Sequence, residues 1–285
     1  MKKKLERVLR IPPVRFVADM VHIYFSEHVS RSAAQLAYFL TMTFFPILIC
    51  IAAFLGRVNL KLSDMLADLE ELLPQGVYTI FQDYLGYLDK NFSTAMLITG
   101  IFLTVLFASS AIRGLTSIMY EVYDEPKRRG IRQFAASILF ALLLLVIVYL
   151  AMIVMLSGNW LFHLIGDFLG LSDLAEQFGV WQWLKYLLLL TIVFLFIFLL
   201  YRYLAPVRNP HPPVIPAAVL ASAALAAASG VFSMVVSHSA RYSLIYGSLA
   251  SVIIMLVWLY LCGNILILGN VVNYVMFCRR QHKPI

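Results

Sequence analysis

From residue 177 to residue 285 the chain contains no aspartate or glutamate at all. Asp and Glu total 15 in 285 residues, and all charged residues together make up 13%, about half the share of an ordinary soluble domain. A carboxylate relay across a membrane, of the kind proton-coupled carriers use, therefore has no residues in the second half to run on. Cysteine is scarce too: Cys50, Cys262 and Cys278 lie within or beside apolar runs. They suggest neither a disulfide framework nor a metal site. The six histidines are scattered over loops and termini, without the paired spacing to Asp, Glu or Cys that a metal nuclease needs. There is no Gly-rich phosphate loop and no nucleophile elbow. The expectation is no catalytic constellation, no metal, no cofactor and no enzyme activity.

What the chain has is hydrophobicity. Apolar residues make up 62% of it and mean hydropathy is +0.86. The long apolar runs lack the period-2 alternation of an outer-membrane barrel, so the fold class is all-α, a polytopic bundle in a lipid bilayer. Six runs are long enough to span, at about 20 residues and 1.5 Å each. They lie at about 33–56, 94–120, 133–156, 183–203, 215–237 and 244–276, within one integral membrane domain covering 1–285.

The start, MKKKLERVLR, is followed by no apolar core of signal-peptide length, so no cleaved signal is expected. Residues 1–32 read as an amphipathic N-terminus on the membrane face, with Phe16, Met20, Ile23 and Val17, Val21, Tyr24 recurring at helical steps. Residues 57–93 carry two amphipathic stripes broken by Pro74-Gln75-Gly76, which reads as a hairpin on the outer surface. The loop 157–180 has acidic residues and no Lys or Arg, and tryptophans flank it.

The cations decide orientation. Lys2, Lys3, Lys4, Arg7, Arg10, Arg15, Lys127, Arg128, Arg129, Arg132, Arg202, Arg208, Arg279, Arg280 and Lys283 fall on one side, fifteen of the 22 basic residues. By the positive-inside rule both termini face the cytoplasm. The net charge of +7 then serves orientation and contact with anionic lipid headgroups, not nucleic acid. A homo-oligomer is left open.

AAQLAYFLTMTFFPIL in the first span, the turn Tyr203–Pro206, and YSLIYGSLASVIIMLVWLYL…ILILGN in the sixth resemble the YihY/BrkB family of bacterial inner-membrane proteins. The resemblance runs over nearly the whole chain and implies six helices and an inner-membrane location. Members of that family were once labelled ribonuclease BN and are now mostly regarded as uncharacterised, transporter-like membrane proteins, so the resemblance implies no known substrate. Where the family often ends its sixth span with Gly-Ala-Glu, this chain has Gly269-Asn270-Val271.

The candidate site residues are the polar groups inside the spans. Arg113 shares a helix face with Ser109, Ser117 and Tyr120. It either anchors an anionic substrate in a cavity or snorkels to the lipid phosphates. Gln35 and Tyr38 on the first span, and Asn264 and Asn270 on the sixth, either line a cavity or hold helices together. Pro46 is expected to kink its helix. Gly247, Gly263 and Gly269 are expected at close helix contacts. These features point to a transporter-like or flippase-like protein for a small solute or amphiphile. A non-transporting scaffold for envelope assembly or virulence is the alternative, and ribonuclease a remote one.

Overall fold

In a computed structural model the chain is described over residues 12–58, 78–80, 82–84, 86–87, 93–126, 130–156, 180–206, 213–237 and 249–281. Seven helices make up most of this: α1 (Pro12–Ser26), α2 (Val29–Val58), α3 (Thr94–Val122), α4 (Ile131–Leu156), α5 (Val180–Leu204), α6 (Val214–Ser237) and α7 (Leu249–Arg280). Six of them, α2 to α7, are long and apolar enough to cross a membrane. The protein is a multi-pass all-α membrane protein.

Local chemistry sets several of the boundaries. α1 opens on two prolines, whose missing N–H groups and fixed φ suit a first helical turn. It ends where His28 takes φ +51°, and Arg31 N–H then bonds the His28 carbonyl to start α2. Ser93 caps α3, its hydroxyl accepting from the Met96 N–H at 3.2 Å. Asp124 at φ +51° stops α3 just after Tyr123. α2 runs through Pro46 as one helix, so the proline's lost hydrogen bond does not break it.

Packing follows chain order and then closes. α2 lies on α3, α3 on α4, α4 on α5, α5 on α6 and α6 on α7, and α7 returns to pack against α2 and also reaches α3. The result is a six-helix ring sealed by its final member. Arg132, Arg202, Arg279 and Arg280 all fall where helices meet one end of this ring, called the basic end below.

Burial divides the ring lengthwise. α2 carries buried residues from Val29 to Ala53, and α3 from Gly100 to Val122. Tyr149 of α4 ties in by donating to the Cys50 carbonyl of α2 at 2.9 Å. α5 and α6 behave otherwise. Their buried residues are Ile197, Leu200, Tyr201 and Leu204 on one, and Val214, Ala217, Ala218, Ala221 and Ser222 on the other, all near the basic end. Between 184 and 196 on α5, and between 223 and 235 on α6, no described side chain is buried. Along α5 and α6 the packing is therefore closer toward the basic end and looser toward the other.

α1 docks on the bundle instead of lying free. Ile23 joins the main core, with Phe16, Met20 and Tyr24 packed against it. Val17, Val21 and Phe25 stay exposed on the opposite face, in reach of lipid acyl chains. Most of the expected outer hairpin lies outside the described residues. Of its second stripe, Ile80 packs on the Ala37–Met255–Leu259 cluster, and the Tyr84 ring meets Phe45 edge-on at 5.4 Å. Residues 157–179 and Gly247 also lie outside the described residues.

Candidate functional site

α7 carries the polar side chains that meet the centre of the ring. Midway along it, Asn264 accepts a hydrogen bond from the Tyr24 hydroxyl at 3.1 Å and donates to the Tyr260 carbonyl at 2.9 Å. The Tyr260 hydroxyl pairs with Ser30 Oγ at 2.7 Å. These contacts fasten the α1–α2 elbow to the final helix. Burial there, with Tyr260 close by, raises the Tyr24 phenol above its ordinary pKa. Asn264 is thus helix glue, fully partnered through both atoms of its amide.

One to two turns further on, the chemistry changes. Asn270 and Asn273 are each 0% exposed, and neither atom of either carboxamide has a hydrogen-bond partner among the described residues. They share a face of α7 with Tyr274, at three- and four-residue spacing. The Tyr274 ring lies edge-on to Tyr123 at 4.9 Å, and the buried Tyr123 hydroxyl is likewise unpartnered among the described residues. Cys278, one turn beyond, is within hydrogen-bonding reach of Tyr274. Two carboxamides and a phenol are therefore buried in a packed place without a hydrogen-bond partner among the described residues. Each such group costs about 1–3 kcal/mol to keep. A purely structural helix would be better served by leucine.

Beside this cluster the helices are pressed together. A Cβ on Gly269 would overlap the Tyr201 hydroxyl and come within 2.8 Å of Ala221 Cβ. Tyr201 uses that space to donate to the Leu266 carbonyl at 2.6 Å. At Gly263 a Cβ would stand 3.1 Å from the Ala33 carbonyl oxygen of α2. Both glycines sit at helix–helix contacts.

Arg113 belongs to a different place. It projects between α3 and α4, donating to Ser109 Oγ at 3.3 Å and Ser110 Oγ at 2.7 Å, with its guanidinium 5.4 Å from the Phe134 ring centre. Ser109 and Ser110 precede it in the chain, so the side chain turns back along α3, away from the basic end. Among the described residues it has no carboxylate partner. Gln35 covers the neighbouring Gly114, its Nε2 3.7 Å from where a Cβ would be. Ser117 is half-buried a turn below, and Tyr38 is 54% exposed on the outside of α2. The structure thus brings Gln35 close to the Arg113 turn, and leaves Tyr38, Asn264 and Asn270 elsewhere.

A cavity of about 410 Å³ opens at the basic end between α5, α6 and α7. Neither Arg113 nor Tyr38 lines it. No group of three His, Cys, Asp or Glu side chains that could hold a metal ion occurs among the described residues. Sequence reasoning did not single out Tyr123, Tyr201 or the Arg202–Arg280 approach. Their partners lie 65 or more positions away or on other helices, and no local spacing announces them.

Comparison with known proteins agrees with this architecture. The family described as Virulence factor BrkB matches residues 21–284. The Bacillus subtilis (strain 168) protein YfkH, whose name calls it ribonuclease-like, is 27% identical over 271 residues, covering 93% of this chain and 96% of its own. A protein of Coxiella burnetii (strain Dugway 5J108-111) named UPF0761 membrane protein is 27% identical over 252 residues, covering 86% of this chain and 84% of its own. No solved structure matches. A ring of six spans matched almost from end to end leaves one assignment: the chain belongs to the Virulence factor BrkB family of membrane proteins.

Proposed function

We propose that the protein moves an amphiphile or small solute across the bacterial cytoplasmic membrane, with both termini in the cytoplasm. The observation that carries this is the pair Asn270 and Asn273, fully buried and unpartnered among the described residues. Groups kept so at a cost have a use in another state, when the ring parts and a polar cargo or water meets them. The loosened half of α5 and α6 supports the same picture. Its exposed side chains, such as Leu187, Leu195, Val231 and Met234, are apolar and suit an acyl chain better than a bare ion. The protein would then alternate between this form, in which the asparagines are enclosed, and one in which the ring parts around them. The charge asymmetry of the sequence supports placing the basic end in the cytoplasm.

The test is reconstitution into liposomes, following translocation of fluorescent phospholipids and efflux of small solutes. Wild type should exceed protein-free vesicles. The Asn270→Leu/Asn273→Leu variant should fall to the protein-free rate while staying folded. Wild-type rates in the double variant would remove the asparagines from the path. No translocation by the wild type would instead favour a scaffold in envelope assembly, a reading supported by the continuous packing of α2 on α3 and by a cavity that omits Arg113 and Tyr38. The ribonuclease-like name of the Bacillus relative carries no residue set over to this chain. We propose no nuclease activity, to be checked by RNA cleavage assays of purified protein with divalent metals.

A further inference from the structure

The cavity at the basic end has a chemistry of its own. Arg202, in the last turn of α5, and Arg280, at the end of α7, both line it, from helices 78 positions apart in sequence and on opposite sides of α6 in the ring. Phe198 continues the wall one turn deeper along α5, and Pro213, Val214 and Ile215 at the start of α6 complete it.

Each arginine alone has an ordinary explanation, since cations favour helix C-termini. Two arginines lining one cavity do not, because like charges repel there unless an anion joins them. Among the described residues no carboxylate side chain lines the cavity, and the sequence has none from residue 177 onward, including the segment 207–212. At the same end, by contrast, Arg279 is neutralised by Asp19 at 3.0 Å. The first turn of α6 holds no acidic residue either. Beside the two arginines the wall is apolar, through Phe198, Val214 and Ile215. Paired guanidinium groups match the oxygens of a phosphate two at a time, and the apolar backing fits a ligand that carries hydrocarbon.

We propose that this cavity is a binding site for a phosphate-bearing anion, held between Arg202 and Arg280. The site is separate from the buried asparagines of α7, and its occupancy does not require that the protein transport anything.

The test uses the full chain purified in a neutral detergent, with thermal unfolding read against two probes: inorganic phosphate, and phosphatidylglycerol added to the micelle. Wild type should be stabilised by one or both, and the effect should need at least about tenfold more probe in Arg202→Gln/Arg280→Gln. Arg132→Gln, an exposed arginine on α4 at the same end, should respond like wild type. Stabilisation by phosphatidylglycerol alone identifies a lipid headgroup, and stabilisation by inorganic phosphate as well identifies a soluble anion. Should the double glutamine variant fold poorly, Arg202→Lys/Arg280→Lys keeps the charges and should retain part of the response. Hydrogen exchange on the wild type gives a measure independent of any variant: the Val214 and Ile215 amides should slow when probe is added. Absence of stabilisation and of protection with both probes overturns the proposal, as does an unchanged response in the double glutamine variant.

Discussion

At Gly269 the space for a side chain is already occupied by the Tyr201 hydroxyl. Gly269→Ala must push Tyr201 off the Leu266 carbonyl or move α5 and α6 away from α7, which should cost about 1–3 kcal/mol. Gly230 on α6 has nothing within 4 Å of its notional Cβ, so Gly230→Ala should be neutral or stabilise by up to about 1 kcal/mol. Thermal unfolding in detergent separates the two, and equal midpoints would show that the α7 contact yields easily. The asparagines should behave in the opposite sense. Asn270→Leu/Asn273→Leu removes four buried, unpartnered polar atoms at similar side-chain size, so its unfolding temperature should rise above wild type. A fall would mean that unseen partners satisfy these amides. The sequence made the small and amide residues of α7 visible as unusual for a lipid-facing helix. It could not say which amides have partners: Asn264 meets Tyr24, 240 positions away, whereas Asn270 meets nothing among the described residues. Arg113 was equally undecided, because its direction depends on the hydroxyls of Ser109 and Ser110 on its own helix and on Phe134 of the next.

Among the elements, α1 shows best how tertiary contacts go beyond pattern. Its apolar spacing reads as an amphipathic helix on the membrane face, whereas in the structure Phe16, Met20, Ile23 and Tyr24 pack on the bundle and Val17, Val21 and Phe25 stay exposed. Beside its apolar packing and the Tyr24–Asn264 bond, α1 is tied by Arg279, which pairs with Asp19 and lies 5.1 Å from the Phe16 ring centre. The pair is partly solvated, with side chains 33% and 21% exposed, so it is worth roughly 0–1 kcal/mol. Asp19→Asn should therefore leave the midpoint of global unfolding almost unchanged. It should speed amide exchange across α1 relative to α2, and uniform exchange in both helices would show that apolar contacts alone hold α1. The long spans were legible because about 20 apolar residues have few other uses. Their ends were less so: α7 runs on to Arg280, past the expected end at residue 276, because a helix can outlast the bilayer wherever neighbours continue to pack on it.

For the whole molecule, orientation is the property that most constrains function. With Cys50, Cys262 and Cys278 replaced, a single cysteine at Asp83 should react with a membrane-impermeant maleimide on intact cells, and one at Pro126 only after permeabilisation. Reversed labelling would place the basic end outside and with it the Arg202–Arg280 cavity. Hydropathy counts spans and charge assigns sides, but neither contains the order of helices around a ring. That order came from contacts such as Tyr149 to Cys50 and Gly263 to Ala33, between segments distant in sequence.

Ring closure by α7 also sets a timetable for biogenesis. Asp19 and Arg279 are 260 positions apart. At a synthesis rate of about 5–20 residues per second, the ribosome needs on the order of 13–52 s after making one to reach the other. Through that interval α1 and α2 sit in the membrane without the helix that receives Tyr24, Ser30 and Ala33. An insertase or membrane chaperone that shelters those faces would have its longest engagement with this protein before α7 emerges, and a ribosome stalled ahead of Leu249 would release an open bundle to the cell's membrane proteases.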